Sequence, residues 1–123
     1  MKILSVAAVA VVLSVAGSAS AHHSYAIYDA TKTVTMTGVV KAYRWGNPHV
    51  MLEFVPANSS GPDAAWEIEL QSVNIISRKG WSNKSLAPGD KIEVVLHPAK
   101  NNQKMASLVS VTTPSGQVLK DKA

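Results

Sequence analysis

The chain has 123 residues and no cysteine, with 12 lysines and arginines against 8 aspartates and glutamates, a formal net charge of +4. The missing cysteine excludes disulfides, a lipid-anchored cysteine and thiol or dithiol redox chemistry. The basic excess is mild and scattered, with neither a basic stripe nor an aromatic-interleaved Lys/Arg run, so a nucleic-acid partner is not expected.

The first residues carry the marks of a secretory signal peptide: Lys2 as a positive start, an apolar run from Ile3 to Val15, and the small residues Ala19-Ser20-Ala21 at a cleavage site. The apolar run is shorter than the roughly 20 residues a bilayer span needs, so no stable membrane insertion is expected after cleavage. A cut after Ala21 leaves 123 − 21 = 102 residues, 11 basic and 8 acidic, enough for one domain (22–123) in the periplasm or outside the cell.

From Tyr25 to Thr31 a short segment leads into the first strand, and Asp29 with Thr31 offers turn or capping chemistry. Val34 to Arg44 alternates apolar and polar residues and is rich in β-branched types, with Gly38 predicting a bulge or bend. Trp45-Gly46-Asn47-Pro48-His49 is a pinch, because Gly46 relaxes the backbone while Pro48 fixes its own φ and restricts Asn47. A second strand, His49 to Val55, places Val50, Leu52 and Phe54 on one face and His49, Met51 and Glu53 on the other.

After the loop Asn58 to Asp63, the third strand, Ala64 to Leu70, turns Trp66, Ile68 and Leu70 inward and leaves Glu67 and Glu69 as a solvated exterior. Ser72 is a helix N-cap signal, and Gly80 closes that helix after Arg78 and Lys79, two cations that suit the negative end of the helix dipole. Trp81 is expected to fold back on the helix or cap the barrel bottom. A fourth strand, Lys91 to His97, and a fifth, Met105 to Thr113, precede a turn at Pro114-Ser115-Gly116 and a short charged tail. Three strands, a short helix and two more strands is the order of a five-stranded OB-like Greek-key barrel; a small open β-sandwich is the alternative.

The histidines hold the chemical interest. Cleavage after Ala21 makes His22 the N-terminal residue, where its amine and ring nitrogen, with the imidazole of His23, form a nitrogen set suited to Cu(II). Cleavage after Ala19 makes His22 the third residue, and amine, two backbone nitrogens and imidazole then give a square-planar Cu(II) or Ni(II) site. His49 at its rigid corner, with Met51 one strand step away, adds imidazole and thioether donors, and His97 is a further candidate ligand. The expectation is therefore a non-enzymatic metal-binding protein, with copper as cofactor and His22, His23, His49, Met51 and His97 as ligands. No nucleophile, base and acid are arranged for catalysis. The competing expectation is a metal-free module that uses Tyr43, Arg44 and Trp45 to recognise an oligosaccharide, a peptide or another envelope protein.

The motifs Ala21-His22-His23-Ser24, Thr37-Gly38-Val39-Val40, Trp45-Gly46-Asn47-Pro48-His49, Trp66-Glu67-Ile68-Glu69-Leu70 and Leu86-Ala87-Pro88-Gly89-Asp90 resemble a family of small secreted bacterial proteins of uncharacterised function. The similarity runs over essentially the whole mature chain through Pro98-Ala99-Lys100 and Ser115 to Leu119, and implies a secreted single domain without supplying an activity. A looser similarity, of fold alone, is to the small periplasmic copper-carrying barrels of efflux systems, in which Trp45, His49 and Met51 would have counterparts.

Overall fold

A computed structural model describes residues 25–122. The expected signal peptide 1–21 and the histidines His22 and His23 lie outside those residues. The strands are β1 (Val34–Arg44), β2 (Met51–Pro56), β3 (Trp66–Glu69), β4 (Lys91–Pro98), β5 (Met105–Thr112) and β6 (Val118–Lys120), with α1 (Val73–Ser77) between β3 and β4 and a 3-10 turn at Tyr25–Ile27. Among the described residues no helix is long and apolar enough to cross a membrane.

The alternation read in the sequence builds the wall. Antiparallel pairs β1–β2, β2–β3, β1–β4 and β4–β5 are joined by a parallel β3–β5 pairing, which closes five strands into a barrel in the OB-like order. Side chains of one parity point into it: Val50, Leu52, Phe54, Ile68, Leu70, Val94, Leu96 and Leu108 are all fully buried. Each contributes about 1.5–3 kcal/mol of burial, so the core is the principal stabiliser. Trp81 follows Gly80 and is buried with the core, its backbone N–H donating to the Ile76 carbonyl.

Several local expectations are corrected. The bulge in β1 falls between Val40 and Ala42, not at Gly38. Gly38 is needed for close approach instead, since a Cβ there would lie 2.2 Å from the Val55 carbonyl oxygen and 2.7 Å from the Phe54 ring. Ser72 is at the N-cap of α1 but its side chain makes no capping bond; the Val73 N–H donates to Asn47 Oδ1 at 3.3 Å. The charged tail contains a sixth strand, β6, which pairs Val118, Leu119 and Lys120 with Thr112, Val111 and Ser110. Asp121 behind it is fully buried.

The close approach at Gly38 predicts that Gly38→Ala loses about 3 kcal/mol or more of unfolding free energy, because neither a strand carbonyl nor the packed Phe54 ring can yield. Urea unfolding of the variant against the wild type measures this, and a loss below about 0.5 kcal/mol would contradict the packing described.

Candidate functional site

The row of side chains on the outside of the barrel is set by register. His97 pairs with Ser107, Ser107 with Glu69, Glu69 with Met51 and Met51 with Arg44, so these five residues share one face across β4, β5, β3, β2 and β1. An exterior row of this kind is ordinarily solvated. Here its middle is roofed, because the segment before β1 runs across it: Tyr28 bridges to Ala99, the Asp29 N–H donates to the Pro98 carbonyl at 2.8 Å and the Lys100 N–H to the Ile27 carbonyl at 2.8 Å. Asp29 then ends the segment as expected, its Oδ1 accepting from the N–H and hydroxyl of Thr31.

The roof changes the chemistry of Glu69. Instead of belonging to a solvated face it is 7% exposed. The Tyr28 hydroxyl donates to its Oε2 at 2.6 Å, and its Oε1 lies 3.2 Å from His49 Nε2. Burial, then the hydrogen bond to Glu69, holds the Tyr28 phenol in its protonated donor form, its pKa well above the ordinary value. Glu67, two residues earlier, stays exposed and binds Arg44 at 3.1 Å, while Glu53 faces Arg44 at 3.6 Å and Lys41 at 3.9 Å. Those are solvent-screened pairs of small energetic consequence.

His49 is placed by the ladder just before β2, where the Leu70 N–H donates to the Val50 carbonyl at 2.8 Å and the Val50 N–H to the Gln71 carbonyl at 3.3 Å. Its Nδ1 lies 3.2 Å from the Leu70 carbonyl oxygen. A carbonyl can only accept, so Nδ1 carries a proton, and Nε2 of the neutral ring is a lone pair. That lone pair faces a carboxylate oxygen, a second acceptor, and the contact is favourable only with a cation between them: a proton, giving an imidazolium–carboxylate pair, or a metal ion. Two donors each about 2.0–2.2 Å from one metal and 90–110° apart at it are themselves about 2.8–3.6 Å apart. The observed 3.2 Å suits both cases.

Tyr25 closes the site from the N-terminal side, its ring edge-on to the His49 ring with centroids 5.8 Å apart. From the C-terminal side the Lys122 ammonium stands 3.7 Å above the centre of the Tyr25 ring. The tail that carries Lys122 is stapled down by Trp81, whose Nε1 donates to the Lys120 carbonyl at 2.9 Å, by Lys79 donating to the Asp121 carbonyl, and by the Gln71 N–H donating to Asp121 Oδ2 at 3.1 Å. Lys79, expected to serve the helix dipole, therefore serves the tail. Burial pushes the Asp121 carboxyl up to about 6, against the lowering effects of the Gln71 N–H and of Lys79, Lys122 and His49. Its Oδ1 is buried without a partner among the described residues.

Of the residues singled out in the sequence, the structure brings Met51 beside Glu69 by register and sets His49 against the same carboxylate. It does not bring His97 there: His97 is three ladder steps from Met51, and its Nδ1 lies 2.8 Å from the Lys32 carbonyl oxygen. Among the described residues no three histidine, aspartate or glutamate side chains lie together in a way that could hold a metal ion. Tyr43 and Trp45 are partly buried against the core, ring centroids 6.2 Å apart, and the Tyr43 hydroxyl donates to the Ser82 carbonyl at 2.9 Å. Sequence reasoning assigned Glu69 to a solvated exterior and missed Tyr25, Tyr28, Asp121 and Lys122, for which the one signal was the pair of tyrosines three residues apart after His22-His23-Ser24.

Asp121 supplies a pH test. Its folded value of about 6 lies above the ordinary 3.8. The stability this group contributes is therefore present at low pH and is lost as pH rises through about 6. The unfolding free energy of Asp121→Asn relative to wild type should rise by on the order of 2 kcal/mol from pH 4 to pH 7. A difference that does not change with pH would contradict the burial of this carboxylate.

Residues 8–108 match a family described as a family of unknown function (DUF6152). No curated protein and no solved structure matches the chain.

Proposed function

Because the chain belongs to that family of unknown function, we propose its role from its own residues: an exported, non-enzymatic protein that binds one metal ion, most suitably copper, between its N-terminal histidines and the His49–Glu69 pair. The observation that carries the reading is the 3.2 Å approach of His49 Nε2 to Glu69 Oε1 while Nδ1 is committed to the Leu70 carbonyl. A carbonyl on one ring nitrogen is the usual device that fixes a histidine with its other nitrogen free to ligate.

Two described donors do not hold a transition metal tightly, and covalent connection suggests the rest. Tyr25 rests on His49, and His22 is three residues before it, so the Cα atoms of His22 and Tyr25 are at most about 11 Å apart. Cleavage after Ala21 would then supply a primary amine and two imidazoles to an imidazole and a carboxylate already in place. Nitrogen and oxygen donors of this kind suit Cu(II), and Met51, paired with Glu69, offers a thioether for Cu(I). His49, oriented by the Leu70 carbonyl, and Glu69 would hold the copper and Tyr25 would shield it; when bound, copper would supply a cation of fixed geometry. His97 is left out of this site, and Tyr28 acts by holding Glu69 in place.

The test is native mass spectrometry of the protein processed in the periplasm, with and without one equivalent of Cu(II). A chain that starts at His22 and retains one copper, with retention lost in the double variant His22→Ala, His23→Ala and reduced at least tenfold in affinity in His49→Ala, is the expected outcome. A correctly processed chain that retains no copper would remove the metal reading and favour the metal-free binding module.

A further inference from the structure

We infer that Lys122 is a tethered counter-cation of the two buried carboxylates beside His49, Glu69 and Asp121, whose charge exceeds what a His49 imidazolium balances, and that it is displaced from the Tyr25 ring when a metal ion binds at His49 and Glu69. This regulation rests on the metal-binding reading above. Glu69 and Asp121 are both buried, the second completely, and buried carboxylates require nearby compensation. Lys79 is committed to the Asp121 backbone carbonyl. Lys122 is partly buried, and the charges of both Asp121 and Glu69 act to keep it in its ammonium form against the cost of its burial.

The Lys122 ammonium does not extend into water as a surface lysine ordinarily does; it lies on the face of Tyr25, whose edge is against the His49 ring. The three residues before it cannot drift, because Lys120 is held by Trp81 and by β6, and the Asp121 N–H donates to the Val109 carbonyl at 2.9 Å. Only the Lys122 side chain itself is free to leave. A divalent ion at His49 and Glu69 would bring two positive charges to the other side of the Tyr25 ring from the Lys122 ammonium, with little water between them on the buried side. Of the contacts that would then be opposed, the face contact with Tyr25 is the weakest, since a cation held by a ring quadrupole is less tightly bound than a metal held by nitrogen and carboxylate donors. Lys122 therefore opposes the metal, and its removal should tighten binding.

The experiment is a competition titration of the mature, full-length protein with Cu(II) for wild type, Lys122→Gln and Lys122→Arg, with the wild type and Lys122→Gln repeated at high salt. About tenfold tighter binding by Lys122→Gln, narrowing in high salt, with Lys122→Arg close to wild type, is the expected result. Equal affinities in all three proteins would overturn the inference while leaving the metal site standing. Weaker binding by Lys122→Gln would also overturn it, showing that the lysine acts by holding Tyr25 in position. Absence of copper from all three would remove the metal-binding reading and this inference together.

Discussion

The parallel pairing of β3 with β5 is the constraint on which the rest depends. It joins Glu67, Ile68 and Glu69 to Met105, Ala106 and Ser107, and without it the remaining antiparallel pairs would leave an open sheet. Closure buries Ile68 and Ala106 on the inside, and by the alternation of side chains it must put Glu69 and Ser107 side by side on the outside. An exterior carboxylate between two strands becomes a site only because something covers it. The segment Tyr25 to Thr31 does so, anchored to the far end of β4 by backbone bonds that do not depend on Glu69.

Both ends of the described chain consequently meet at one corner. Tyr25 arrives over His49 from the N-terminal side, and the β6 tail brings Asp121 and Lys122 from the other. The result is a histidine with one ring nitrogen held by a carbonyl, the other facing a carboxylate, and that carboxylate held in turn by a tyrosine hydroxyl. Such a chain of contacts is costly to leave partly satisfied in a buried place, and it restricts the imidazole to one orientation. Pre-orientation of this kind is what a binding site would need from its fold.

The barrel was legible in the sequence because its information is local. Strict parity in Val50, Leu52 and Phe54 against His49, Met51 and Glu53 assigns inside and outside without knowledge of partners, and the extent of β1 from Val34 to Arg44 follows from composition alone. His49 stood out for the same reason, at a corner made by glycine and proline. Glu69 was misread because its parity is right and its cover is remote: Tyr28 is 41 residues away in sequence. The tail was misread because a strand of three residues, Val118–Lys120, is too short for periodicity to declare itself. Asp121 between two lysines reads as solvent-exposed charge, and only the docking of Trp81, Lys79 and Gln71 around it makes it buried. Register, too, is invisible before pairing, which is why His97 could be thought a partner of His49 until the ladder put three steps between His97 and Met51.

The most direct test of the account is a crystal structure of the processed protein grown with Cu(II), with anomalous difference density recorded at the copper edge. A metal site at His49 predicts a single strong peak within bonding distance of His49 Nε2, bordered by Glu69 and by the amine and imidazole of His22. A peak at His97 alone, or a His49–Glu69 contact unchanged at 3.2 Å with no copper beside it, would contradict it.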